Sequence, residues 1–269
     1  MFSYKLVIEY EGTRYYGWQE QKQSRTVAGE IHKAAEEFLE KPVEIFGAGR
    51  TDAGVHALGQ VARLRSIRRV KPLELQRALN DRLPADISVL RAAEAHPDFD
   101  PRRDAVRRYY LYQISLRRTA FAKRFVWWVK DRLNVDAMNE ACSLVSGRHD
   151  FARFCDKRAE ERSTVVAVER AELQSDGDLL LFRIGASHFL WKMVRRIVGS
   201  LVEVGRRNLS VEEFRSLLDP HVAAKSAKQF QVAAYTAPPS GLFLERVLYD
   251  PSQSIPALSA VFPVASNKF

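Results

Sequence analysis

Cysteine is scarce in this chain: Cys142 and Cys155 are the only two among 269 residues. Two thiols cannot build a disulfide framework, so the expected compartment is reducing, the cytoplasm. Neither stands at metal-ligand spacing from the other or from His149, and Cys142 fits an apolar helix face, so no metal is expected. Long apolar runs are missing too. None approaches the roughly 20 residues of a bilayer-spanning helix, and the opening Met-Phe-Ser-Tyr-Lys carries no leader pattern. No membrane association is expected. The one glycine-rich block is not followed by Gly-Lys-Ser/Thr, which removes a P-loop. Acidic residues are in deficit, 33 against 42 Lys and Arg, a formal net charge of +9. That balance favours a polyanionic partner.

The glycine-rich block is the most informative stretch that is present. It runs from Phe46 to Val61, and four glycines, Gly47, Gly49, Gly54 and Gly59, bracket one carboxylate, Asp52, two residues after Arg50. The apolar Val43–Phe46 run before it reads as a strand, which puts Asp52 on a loop leaving a sheet. A carboxylate there, beside a cation and open to a ligand, has the setting of a reactive group. It equally has the setting of a turn residue that caps backbone amides. A dinucleotide loop is disfavoured, because its fingerprint wants glycine where Asp52 stands.

Cations cluster at Arg63 to Lys71, Arg102 to Arg108, Arg117 to Arg124 and Arg195 to Arg207. Between them fall Tyr109, Tyr110, Tyr112, Phe121, Phe125, Trp127 and Trp128. Cations for phosphates interleaved with rings for bases are what RNA binding needs, although strand alternation buries about half of such rings.

Periodicity gives a strand at Tyr4–Tyr10 and a helix over Thr26–Leu39 with Thr26 as N-cap. It gives a helix opening at Pro72 and a strand at Asp86–Leu90. In the second half, Tyr109–Leu116, Val165–Leu173, Leu179–Gly185 and Leu242–Tyr249 read as strands. Asn134 caps one helix, Met193–Val204 forms another, and Ser210-Val-Glu-Glu213 is a capping box. The order is that of an α+β protein with two ferredoxin-like halves. The expected division is 1–104 with the Asp52 loop, 105–250 with Tyr110 and Arg195, and a loose tail from 251 to 269.

Four ordered motifs carry a family resemblance. Gly49-Arg50-Thr51-Asp52-Ala53-Gly54-Val55-His56 comes first. Arg108-Tyr109-Tyr110-Leu111-Tyr112 and Phe189-Leu190-Trp191-Lys192-Met193-Val194-Arg195 follow, and Thr236-Ala237-Pro238-Pro239-Ser240-Gly241-Leu242 closes the set. With Tyr15-Tyr16-Gly17-Trp18 near the start, the chain from about Tyr4 to Tyr249 resembles the tRNA pseudouridine synthase A (TruA) family. The resemblance implies a pseudouridine synthase-like fold, two ferredoxin-like (RRM-like) halves sharing an extended, mostly antiparallel sheet flanked by helices. It implies conversion of uridine to pseudouridine at positions 38, 39 and 40 of the tRNA anticodon stem-loop, by a homodimer, with no nucleotide cofactor. It makes Asp52 the essential carboxylate, Tyr110 a base-stacking or proton-moving ring and Arg195 the cation that pairs with Asp52. Arg50 would fill the gap left by an extruded base. Arg63, Arg65, Arg102 and Arg108 are the expected RNA-contacting cations. Asp100 and Arg196 depart from the family pattern. A catalytically silent RNA-binding module and a dinucleotide-dependent enzyme are the competing classes.

Overall fold

The computed structural model describes residues 1–156, 163–219 and 230–264. In chain order the elements are β1 (Phe2–Tyr10), α1 (Val27–Leu39), β2 (Val43–Gly47), β3 (His56–Ser66), α2 (Pro72–Asn80) and β4 (Ile87–Glu94). Then come β5 (Arg107–Ser115), β6 (Trp127–Trp128), α3 (Val135–Ser143), β7 (Gly147–Asp150), β8 (Val165–Asp176), β9 (Leu179–Ala186), α4 (Met193–Gly205), α5 (Val211–Leu218) and β10 (Leu242–Leu248). They fall into two compact units, Met1–Arg108 with Phe243–Gln253, and Tyr109–Leu242 with Ser254–Phe269. Each is a mostly antiparallel sheet flanked by helices, the expected α+β class.

In the first unit the strand order is β4-β1-β3-β10, with β2 also on β3. Strand β1 shows the period of two that a half-covered strand requires, with Tyr4, Leu6, Ile8 and Tyr10 all buried. Helix α1 starts where Thr26 accepts a hydrogen bond from Gly29 N at 3.3 Å, and it buries Val27, Ile31, Ala34, Ala35 and Leu39. Each large aliphatic side chain so buried contributes about 1.5–3 kcal/mol. Pro72 occupies the first turn of α2, where its missing N–H costs nothing.

In the second unit the order is β5-β9-β8-β7, with β6 parallel to β5. Strand β9 is buried along all eight residues. The β8–β9 hairpin turns at Gly177, as its Ser-Asp-Gly-Asp sequence predicts. Asn134 caps α3, and Ser210 and Glu213 cap α5 reciprocally. Burial on α3 pushes the Cys142 thiol up to about 12, so it is an inert packing group. Among the described residues no helix is long and apolar enough to cross a membrane.

The structure differs from the sequence reading in several places, among them the short strands β6 and β7, to which periodicity assigns no element. The stretch from His56 to Ser66, to which periodicity assigns no element, is the long strand β3; Gly59, Arg63 and Arg65 interrupt its apolar pattern. The closing strand β10, expected in the second half, groups with the first unit because Phe243 and Leu244 pair in parallel with His56 and Ala57. The tail is not loose as far as it is described: Leu258 and Val264 are buried, and Val261 N donates to Gln113 Oε1 at 2.7 Å. Residues 265–269 lie outside the described residues.

Candidate functional site

The Asp52 loop is built from main-chain bonds. Ala48 N donates to Val61 O at 2.8 Å as the chain leaves β2, and Gln60 Nε2 holds Gly49 O at 2.8 Å. Thr51 is fixed twice, its Oγ1 2.7 Å from Tyr10 Oη and its carbonyl accepting from Trp18 N at 3.1 Å. Val55 N closes a turn on Asp52 O at 3.2 Å, and Gly54 N reaches Tyr15 O at the same distance. Asp52 itself is half-buried at the head of this turn.

The 12–18 segment is therefore a clamp on the loop. Gly17 lies at φ +89, and a Cβ there would come 2.4 Å from Thr51 O. Only glycine meets both conditions without strain. Tyr15 is buried, with its hydroxyl donating to Asp86, and burial, then that bond, raises its pKa. His56 is 1% exposed; its Nδ1 accepts from Gly12 N at 3.0 Å and its ring stacks on Phe243 at 4.8 Å. That is a structural histidine. Tyr10 and Gln60 are anchors to which the sequence assigns no role.

In the second unit Tyr110 is buried on β5, its ring edge-on to Phe189 at 5.0 Å. Arg195, half-buried in the first turn of α4, donates from Nε to Ala237 O at 2.7 Å, while Ala237 N donates back to Arg195 O at 3.0 Å. The closing motif thus holds the arginine. Tyr112 joins it, donating to Pro238 O at 2.8 Å. Burial pushes its phenol pKa well up, and the nearby Arg195 charge opposes that rise. At Gly199 a Cβ would sit 1.5 Å from Tyr235 O, so α4 and the closing motif approach too closely for any side chain.

Arg196 has a different task. It is 4% exposed and its guanidinium pairs with Asp156, which Lys192 also meets at 2.7 Å. Lys192, then Arg196, hold the Asp156 carboxyl below its ordinary range. Its departure from the family pattern is an internal ion pair, and Asp156 is a partner that sequence spacing could not have given. Asp100, the other departure, accepts from Arg103 N and Arg102 N at 2.9 and 2.8 Å, which lowers its pKa and fixes a tight turn.

The remaining cations divide. Arg50 and Arg102 are exposed. Arg63 stands opposite Phe46 across β2–β3, its guanidinium 5.1 Å from the ring, and Nη1 donates to Phe99 O at 2.6 Å. Arg65 stands opposite Glu44 and pairs with it at 3.4 Å. Arg108, expected among the RNA contacts, is 7% exposed, and its guanidinium holds Ala48 O at 2.9 Å and Arg102 O at 2.6 Å. Two backbone carbonyls accept from Nε and Nη2, and through Ala48 O it braces the loop that carries Asp52.

A family model described as tRNA pseudouridine synthase matches residues 6–102 and 141–250. The chain belongs to the tRNA pseudouridine synthase family. Proteins named tRNA pseudouridine synthase A are similar over nearly their whole length. That of Sinorhizobium medicae is 39% identical over 251 residues, covering 91% of this chain and 99% of the relative. That of Thermosipho melanesiensis is 39% identical over 252 residues, covering 93% and 100%. A solved structure titled as a Cbf5-Nop10-Gar1 complex aligns at TM-score 0.29 with 13% identity, over 74% of this chain and 54% of that one, and carries no weight at that score. Asp52 and Arg195 fall inside the segments matched by the family model, whereas Tyr110 falls between them.

Proposed function

We propose that this member of the tRNA pseudouridine synthase family isomerises uridine to pseudouridine at positions 38, 39 and 40 of the tRNA anticodon stem-loop, with Asp52 as the essential carboxylate. The observation that carries the reading is the Asp52 turn: a half-buried carboxylate held by main-chain hydrogen bonds at both flanks, within the family match. A catalytic group needs that kind of fixed placement.

The reaction breaks the C1′–N1 bond and joins the same base through C5, so N1 gains a proton and C5 loses one. No electrons are gained or lost overall. Asp52 serves as the nucleophile towards C1′ or the ring, or as the base that removes a sugar proton; each route requires an ionised carboxylate. Arg195 is the guanidinium of the second unit, and its orientation rests on Ala237. Tyr110 offers the ring for the detached base, with Phe189 edge-on behind it. Arg50, exposed two residues before Asp52, takes the place of the extruded base, which offsets part of the few kcal/mol of unstacking. Arg63, Arg65 and Arg102 supply cations for the backbone. The same family reading makes the enzyme a cytoplasmic homodimer.

The test is to incubate the purified chain with unmodified tRNA, with no nucleotide or metal added, and to map pseudouridine. Product at 38, 39 and 40 supports the reading. Tight tRNA binding without product would favour a silent RNA-binding module. A requirement for an added dinucleotide would favour the dinucleotide-dependent class.

A further inference from the structure

Residues 117–130 hold five cations, Arg117, Arg118, Lys123, Arg124 and Lys130, and no carboxylate. The stretch leaves β5, returns through β6 and is anchored at both ends. Leu116 N donates to Asp178 O at 2.8 Å, and Val129 N donates to Ser115 O at 3.0 Å. Between these anchors lies a cavity of about 530 Å³, lined by Arg118, Thr119, Ala120, Lys123, Val126 and Trp128. The Arg118 guanidinium sits 5.8 Å from the Trp128 ring centre, and Trp128 remains 41% exposed.

The C-terminal segment braces this loop from behind. Gln113, fully buried on β5, donates from Nε2 to Phe125 O at 3.0 Å and accepts from Val261 N. Phe262 stacks on Phe125 at 4.8 Å with the planes 20° apart. Further along, buried Arg183 donates to Pro256 O at 3.0 Å and so fixes the start of the segment. Loop and brace both lie outside the segments that the family model matches.

We propose that the Arg118–Trp128 cavity is a second RNA-contact site, which takes an unpaired base on the Trp128 ring and its phosphate on Arg118 and Lys123, and that Phe262 is a positioning residue for it. The chemistry selects the occupant. Two exposed cations beside an exposed ring match a nucleotide's anionic and flat parts, and among the described lining residues no carboxylate repels phosphate. The proposal rests on tRNA being the substrate, and it adds a contact away from the Asp52 loop.

The test uses the full chain, unmodified tRNA, and the variants Arg118→Ser/Lys123→Ser, Trp128→Ala and Phe262→Ala. The first should raise the Kd about tenfold and reduce the slope of log K against log salt by about two, one per phosphate contact. Trp128→Ala should raise the Kd about five- to tenfold with the salt slope unchanged, because stacking is lost and not charge. Phe262→Ala should give a smaller rise, restored by Phe262→Tyr. In all three, kcat/KM should fall through KM. The control pair Arg132→Ser/Arg148→Ser removes the same charge from exposed positions elsewhere in the unit. An equal loss in the control pair, or wild-type affinity in both cavity variants, overturns the proposal. So does a change in self-association with tRNA affinity intact, which would mark a chain–chain surface. Absence of pseudouridine from wild-type reactions would sink the proposed function, while the binding comparison would still decide the cavity.

Discussion

The Asp52 loop and the Arg195 helix reach a fixed geometry by opposite means. The loop buries only the small side chains of Ala48, Thr51 and Val55 and is held by main-chain donors and acceptors: Trp18 N on Thr51 O, Gly54 N on Tyr15 O, Ala48 N on Val61 O. The helix carries the apolar stripe Val194, Ile197, Val198 and Leu201, all buried, and Arg195 Nε adds a polar anchor on Ala237 O. Main-chain anchoring demands special residues, because only glycine tolerates the Gly17 conformation and approach. Apart from Gly199, where no Cβ fits, packing demands volume and period, which many sequences satisfy. Substitutions in the loop should therefore damage placement before stability, and substitutions in the helix should do the reverse, apart from Arg195.

The largest expected effect tests the loop. Asp52→Asn keeps the shape and removes the charge, so pseudouridine formation should fall below detection while the Kd for tRNA moves by less than about threefold. Parallel loss of binding would mean that the loop, not the charge, had been damaged.

Arg195→Lys comes next. It keeps a charge but loses the planar fork and the Nε bond to Ala237. Turnover should drop about a hundredfold, as expected for a misplaced reacting group. Stability should fall by about 1 kcal/mol for the one hydrogen bond. Arg196→Lys, one residue on, should show the inverse pattern. It leaves the half-buried Asp156 with a poorer partner and the buried guanidinium site incompletely filled, so stability should fall by about 1–2 kcal/mol, with turnover within a few-fold of wild type. Thermal melts and turnover on the two variants decide; equal turnover losses would make this helix face merely basic.

Gly17→Ala should lower turnover about tenfold to a hundredfold through displacement of the Thr51 carbonyl, with the Kd for tRNA little changed. An unaltered kcat would show that the clamp does not position Asp52.

The smallest effect concerns acid. Asp156 and Asp100 titrate below the ordinary carboxylate range in the folded chain. A depressed folded pKa contributes stability that is present above the unfolded value, near 3.9, and lost as pH falls through the folded one. Melting temperature should therefore begin to fall as pH drops past about 4, and Asp156→Asn should flatten that limb. An acid limb unchanged by Asp156→Asn would remove the ion pair from the account.

Much of this is legible in the sequence alone. Thr26, Asn134 and Ser210 mark their helix starts because capping is local, and β1 shows itself by alternation. Strand β3 is not legible, because glycine and arginine occupy positions where a strand signal expects branched residues, and two of its three partners, β1 and β10, are distant in sequence. Asp52 stood out by its glycines, yet the anchors of its loop, Tyr10, Tyr15 and Gln60, act from as far as 41 residues away or across a strand. The burial of Arg108 is hidden for the same reason: no local pattern connects it to Ala48 O, which lies 60 residues away. The tail beyond Asp250 read as loose because its hold depends on Gln113 and Arg183, which no local pattern connects to it.

The central claim is that Asp52 performs the isomerisation in the anticodon stem-loop. A single tRNA transcript with uridine at 38, 39 and 40, exposed to the wild-type chain and to Asp52→Asn at concentrations where both are fully bound, tests it most directly. Position-by-position mapping should find pseudouridine at those sites with the wild type and none with the variant. Pseudouridine formed by Asp52→Asn at the wild-type rate would contradict the account.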